Sequence, residues 1–205
     1  MCMITSDRRN YGIKESDPHR GKDLIHVGLF TAIIFVIEMV ISFIGFIPFL
    51  MPLYCVLMPL CIGIPWMLFV TKVQKFGMIL IMEILLGIIL MLTGMGWYAM
   101  PLNIVVGLIA EWVVRSGGYQ SIKKDIIGYG FFSCWVFGSF IPLIFKADQY
   151  WEKSSYGADY IAAAKSIFQL WTAPVLLICC FVFGLLGGWI GVKLMKKHFV
   201  KAGIV

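Results

Sequence analysis

Polar and apolar positions in this chain separate into long blocks. A polar tail, residues 1–23, precedes six apolar runs near 24–46, 53–70, 76–93, 99–114, 126–145 and 168–192, and a basic tail, 193–205, closes the sequence. Several of these runs are long enough for a helix to cross a hydrocarbon core of about 30 Å. The pattern predicts an all-α integral membrane protein, a bundle of six transmembrane helices spanning 24–192.

The connectors alternate in character. FIPFLMP (46–52) and TGMGWYAMP (93–101) are uncharged, with Pro, Gly and aromatic residues. The intervening connectors and both tails carry the basic residues: Arg8, Arg9, Lys14, Arg20 and Lys22 before the first run; Lys72 and Lys75 after the second; Arg115, Lys123 and Lys124 after the fourth; Lys193, Lys196, Lys197 and Lys201 at the end. Of the 17 Lys and Arg residues, Lys146, Lys153 and Lys165 alone fall on the other side. Cytoplasmic loops are the basic ones, so both termini are expected in the cytoplasm, as an even number of spans requires.

Composition agrees. The chain is 60% hydrophobic and 14% charged, with mean hydropathy +0.91, whereas a soluble domain carries roughly 25% charged residues. The net charge of +6 is explained by where the basic residues lie and implies no nucleic-acid partner. The N-terminal region lacks the layout of a cleavable signal peptide, because no apolar run begins before Leu24. Cys2, Cys55, Cys61, Cys134, Cys179 and Cys180 show no CxxC spacing. They read as small polarizable packing residues, not as a disulfide framework or zinc site.

Candidate chemistry starts with carboxylates at membrane depth, each a functional hypothesis because burial there is costly. Glu38 lies in the far half of the first run and Glu83 near the middle of the third, and neither has a local partner. A ligand or polar-network role and a protonated structural role both remain open for them. Glu111 stands four residues before Arg115, so an intrahelical ion pair is expected there.

Small residues form notches. FGLLGGWIGVK contains Gly184, Gly187, Gly188 and Gly191, two overlapping GxxxG pairs suited to close helix packing. In the first run Gly28 and Ala32 share a helical stripe with Phe35, Met39 and Ser42. Glu38 points roughly 100° away from that stripe and lies about 9 Å beyond Ala32 along the axis. The notch and the acid therefore address different neighbours.

Polar and aromatic residues in the outer halves are candidates for a pocket: Trp97, Tyr98, Asn103, Ser139, Gln169, Trp171 and Thr172. The interfacial aromatic belt is the alternative for Trp and Tyr, whereas amides inside a span need hydrogen-bond partners. The long connector KADQYWEKSSYGADYIAAAKSI (146–167) balances its charges and holds Tyr150, Trp151, Tyr156 and Tyr160. Its length suggests a functional cap, and IAAAKSIF predicts a short helix on the bundle. GxSxG, HExxH and P-loop signatures are missing, and no histidines have metal spacing. The chain is expected not to be an enzyme and to hold no metal or cofactor. Active transport would need a separate energising partner.

Six short spans, the notch on the first helix and the long last connector resemble the S component of an energy-coupling factor (ECF) transporter. The ending GGWIGVKLMKKHFVKAGI (187–204) is similar to the Trep_Strep subgroup, in which Leu-x-Lys-Lys-His-Phe-x-x-Ala-Gly recurs. The family's helix-1 Ala-x-x-x-Ala motif corresponds here to Gly28-Leu-Phe-Thr-Ala32, with Gly replacing the first Ala.

The resemblance implies a multi-pass protein of the bacterial cytoplasmic membrane that binds a vitamin or other micronutrient at the outer face, under the 1–2, 3–4 and 5–6 connectors. Its implied partners are a transmembrane coupling (T) component, contacting Gly28, Ala32 and Phe35, and two ATPases. From depth, side and polarity, the expected substrate residues are Glu38, Glu83, Trp97, Tyr98, Asn103, Ser139, Trp151, Gln169 and Trp171. The competing expectations are a self-sufficient small carrier or channel using Glu38 and Glu83, and a structural membrane protein without a ligand.

Overall fold

The computed structural model describes residues 18–95 and 97–195, with side chains from Gly21 onward. Most of the N-terminal tail and most of the basic C-terminal ending lie outside the described residues. Among the described residues, six helices are long and apolar enough to cross a membrane: Gly21–Phe46, Pro48–Lys72, Met78–Met95, Ala99–Ser116, Ile122–Phe145 and Thr172–Leu194. Their α-helical parts are α1 (Pro18–Ser42), α2 (Tyr54–Lys72), α3 (Met78–Leu90), α4 (Ala99–Ser116), α5 (Ile122–Phe132) with its continuation α6 (Ile141–Phe145), and α9 (Thr172–Leu194). Two short helices, α7 (Ala147–Glu152) and α8 (Ala158–Ile167), fill the connector before α9.

The helices close into a ring in the order α1, α2, α9, α5, α4, α3 and back to α1. The most extensive contact is α2 on α9, made possible by glycine. A Cβ on Gly63 would strike the backbone of Gly187, and one on Gly187 would strike the Pro59 carbonyl. Gly191 packs on the Gly63 carbonyl and Gly184 on Ser133. Without a hydrophobic force between helices in lipid, such close van der Waals approach is what holds them together.

The fifth span is not a uniform α-helix. Between α5 and α6 it tightens into a 3-10 segment, Ser133–Phe140, whose residues are all buried. The Ser133 hydroxyl lies 2.9 Å from the Gly130 carbonyl of its own helix and 2.8 Å from that of Cys180 on α9. Back-bonding of this kind bends helices, and a 3-10 helix advances about 2.0 Å per residue rather than 1.5. The segment thus reaches further along the bundle axis than an α-helix of equal length would.

The two ends of the bundle are filled differently. At the end shared with the chain termini, Trp66 packs against Phe132 (ring centroids 4.4 Å), Tyr129 (5.5 Å) and Phe69 (6.1 Å). Its indole donates to the Asp125 carbonyl at 3.2 Å, and Tyr129 donates to the Pro59 carbonyl. Glu111 is buried at this end, but not as the partner of Arg115 that the four-residue spacing predicts. Its carboxylate accepts the Ile79 N–H (3.0 Å) and the Tyr119 hydroxyl (2.8 Å), while Arg115 lies 4.7 Å over the Phe76 ring. Glu111 caps the N-terminus of α3, where free N–H groups and the helix dipole favour an anion. Burial and the bond to Glu111 raise the Tyr119 hydroxyl well above the usual phenol range.

Candidate functional site

At the end opposite the termini the helices splay and leave a cavity of about 310 Å³. Its walls arise from the prolines and glycines of the connectors. Pro48 and Pro52 lack N–H donors, so Phe43–Phe46 and Pro48–Leu53 form short 3-10 turns between α1 and α2. After α3 the chain makes a wide helical turn, Met91–Met95, in which Gly94 takes φ 97°, a conformation that side chains disfavour.

The connector 146–167 closes the cavity. Tyr156 and Tyr160 stack at 4.3 Å with an interplanar angle of 11°. Trp151 packs edge-on to both, with centroids at 6.0 and 5.9 Å, and is itself buried. The Tyr160 hydroxyl donates to the Gly45 carbonyl and lies 3.4 Å from Met51 Sδ. The Tyr150 hydroxyl reaches Met95 Sδ at 3.9 Å. The cap is thus tied to both other connectors at that end. Lys165 donates to Asp148 at 2.7 Å and joins α7 to α8; this bond holds the Asp148 carboxyl below its ordinary range. Burial raises the Tyr150 hydroxyl, and burial with its tyrosine neighbours pushes Tyr160 up to about 12.

Glu38 projects from α1 into this cavity. It belongs to the inward stripe of Val27, Thr31, Ile34 and Ile41 and is 5% exposed. Its Oε1 accepts the Tyr54 hydroxyl at 3.3 Å, and its Oε2 is buried without a hydrogen-bond partner among the described residues. Ser139 Oγ and Trp151 Nε1, which also line the cavity, are likewise buried without a hydrogen-bond partner among the described residues.

Of the residues expected from depth and polarity, Glu38, Ser139 and Trp151 meet at this cavity. The others lie elsewhere. Glu83 is fully buried between α3 and α4, against Gly107, with both carboxylate oxygens unpartnered among the described residues. Asn103 is next to it, donating to the Glu83 carbonyl at 3.2 Å. Trp97 and Tyr98 stack on each other at 5.1 Å at the bundle rim, Trp97 largely exposed. Gln169 and Trp171 are exposed and bond to each other at 3.1 Å, the arrangement of an interfacial belt. The cavity also uses Tyr54, Tyr150, Tyr156 and Tyr160, which pattern reading does not single out as pocket residues. The density of tyrosines in YWEKSSYGADY (150–160) is the signal for the last three. Tyr54 carries none, since only the fold brings α2 beside Glu38.

On the outside of the ring, Gly28 and Ala32 are exposed and Phe35 is half-buried, and a Cβ on Gly28 would meet open space. Gly28 and Ala32 therefore face away from the bundle interior, as the helical angles predict, but Met39 and Ser42 of the same stripe line the cavity together with Glu38.

A ring of six spanning helices with a capped internal cavity defines a polytopic helical membrane protein that can enclose a small molecule. The chain belongs to the Trep_Strep family of hypothetical bacterial integral membrane proteins, whose profile matches residues 21–201. Neither the curated proteins nor the solved structures contain a match to it.

Proposed function

We propose that this protein is the substrate-binding S subunit of an ECF-type importer. It captures a vitamin or other micronutrient in the capped cavity, at the outer face of the bacterial membrane, with both termini cytoplasmic. A T component and two ATPases then drive its reorientation. The observation that carries this reading is the cavity beneath three connectors at one end of the ring, while the other end is packed solid by Trp66 and its neighbours. The outward notch at Gly28 and Ala32 supports it, because a smooth small-residue face permits close docking of a second membrane protein.

The test is reconstitution. Native mass spectrometry of the purified protein identifies a co-purified small molecule, and liposomes then measure its uptake. Uptake should require ATP together with the T component and ATPases. Ala32→Trp should abolish uptake while retaining the bound molecule. Uptake by this chain alone would overturn the reading and favour the self-sufficient carrier, for which the unpartnered carboxylate of Glu83 is the supporting observation.

A further inference from the structure

We infer that the cavity is built for an aromatic monocation: a flat ring system carrying one positively charged N–H group, which docks on Glu38, and a hydrogen-bond acceptor for Trp151. The inference rests on the cavity being the substrate site proposed above. It concerns what binds there, not how transport is driven.

The charge of the lining comes first. Glu38 is the one ionisable acid among the lining residues, and no Lys, Arg or His is among them. A phosphate or carboxylate ligand would meet no counter-charge and would lie against an acid. Placing like charges together away from water is strongly unfavourable. A cation bearing N–H groups instead supplies what Glu38 Oε2 lacks, a donor, and makes a charge-assisted bond stronger than a neutral one.

The walls set the rest of the molecule. Tyr156, Tyr160 and Trp151 present ring faces and edges within 6.0 Å of one another, and Phe43, Phe46 and Phe140 add to the lining. Such surfaces stack on a flat ring and attract a cation through the ring quadrupole. The indole N–H of Trp151 is buried and can only donate. It therefore requires an acceptor on the ligand, such as a ring nitrogen or carbonyl. A volume of about 310 Å³ is at the small end for ligand pockets and suits one or two rings rather than a long chain.

Three probes of nearly equal shape separate the charges: the 4-methoxy derivatives of benzamidinium (cation), benzamide (neutral) and benzoate (anion), each with an ether oxygen that can accept from Trp151. Each is titrated calorimetrically into the full-length protein in detergent, with thermal stabilisation as a second readout. The benzamidinium should bind about tenfold more tightly than the benzamide, the value of one charge-assisted bond, and the benzoate should not bind. Glu38→Gln should remove the preference for the cation. Tyr156→Ala, at a half-exposed position of the cap (41% exposed), should weaken the benzamidinium about threefold while the protein stays folded, with Tm lower by roughly 2–4 °C for the lost stack on Tyr160. It therefore tests the aromatic wall even if Glu38→Gln does not fold.

Binding of benzoate at least as tight as that of benzamidinium would overturn the inference. So would binding of none of the probes, an unchanged preference in Glu38→Gln, or undiminished benzamidinium binding in Tyr156→Ala. Because these measurements need no partner and no transport, they can fail while the S-subunit reading stands. Conversely, partner-free uptake would leave the ligand chemistry intact.

Discussion

Tyr54 donates its hydroxyl to Glu38 at 3.3 Å, across the junction of α1 and α2 and at the edge of the cavity. The bond leaves one carboxylate oxygen committed to the fold and the other available. It is long for an O–H···O bond, so its energetic share is modest. Interhelical hydrogen bonds in membranes average about 0.6 kcal/mol, and leaving a buried acceptor unmade adds toward 1–3 kcal/mol. Tyr54→Phe is expected to lose about 1 kcal/mol, lowering Tm by roughly 2–4 °C for a chain of this size. Thermal denaturation in detergent checks this, and an unchanged Tm would mean that Glu38 finds its donor elsewhere.

Glu111 offers a sharper contrast between two substitutions. It accepts the Ile79 N–H at the start of α3 as well as the Tyr119 hydroxyl. Glu111→Ala strips both donors and should destabilise by about 1–3 kcal/mol. Glu111→Gln keeps a carbonyl oxygen in place and should lose less than half of that. Arg115→Ala should leave this cap intact, because Arg115 lies on Phe76 and not on Glu111. Comparative thermal unfolding of the three variants distinguishes a helix cap from an ion pair.

Two glycines within spanning helices should respond in opposite ways. Gly63→Val places a side chain into the Gly187 backbone on α9 and is expected to prevent assembly of the α2–α9 contact, seen as loss of monodisperse protein. Gly28→Ala meets open space. It should be neutral or stabilise by up to about 1 kcal/mol, the helix propensity difference. Size-exclusion profiles and Tm report both.

The cap hinges on Tyr160. Tyr160→Phe keeps the stack on Tyr156 but removes the bond to Gly45. A bond of about 1 kcal/mol corresponds to roughly fivefold faster hydrogen exchange in the connector that follows α1. The pH dependence follows from burial, which raises this hydroxyl from 10.0 to about 12. A group whose pKa is raised by folding contributes stability that is whole below pH 10 and lost as pH rises through 12. Cap closure should therefore be flat through neutral pH, and tyrosinate absorbance should show Tyr160 ionising late in an alkaline titration of the wild type relative to Tyr160→Phe.

Much of the architecture is legible in residue order alone. Long apolar runs leave few options, because in lipid every backbone N–H and C=O must be satisfied within the segment itself. The inward and outward stripes of α1 follow from helical periodicity, which places Gly28 and Ala32 apart from Glu38 without any knowledge of neighbours. The partner of Glu111 was not legible. Spacing favours Arg115, but the start of α3 is brought there only by tertiary packing, and a set of helix N–H groups with their dipole is a better site for a buried carboxylate than an exposed guanidinium.

The sequence by itself determines that six helices cross the membrane, because hydrophobic length is a local property. It also determines which side of α1 carries the notch and that lone acids stand among apolar residues. Only the tertiary structure separates those acids. Glu38 and Glu83 look alike along the chain, each a carboxylate within an apolar helix. The fold sets Glu38 beside Tyr54 under an aromatic cap with space in front of it, and closes Glu83 against Gly107 and Asn103. The physical reason is that a cavity is a relation among several helices and connectors, and no local pattern along one helix encodes what its neighbours leave empty.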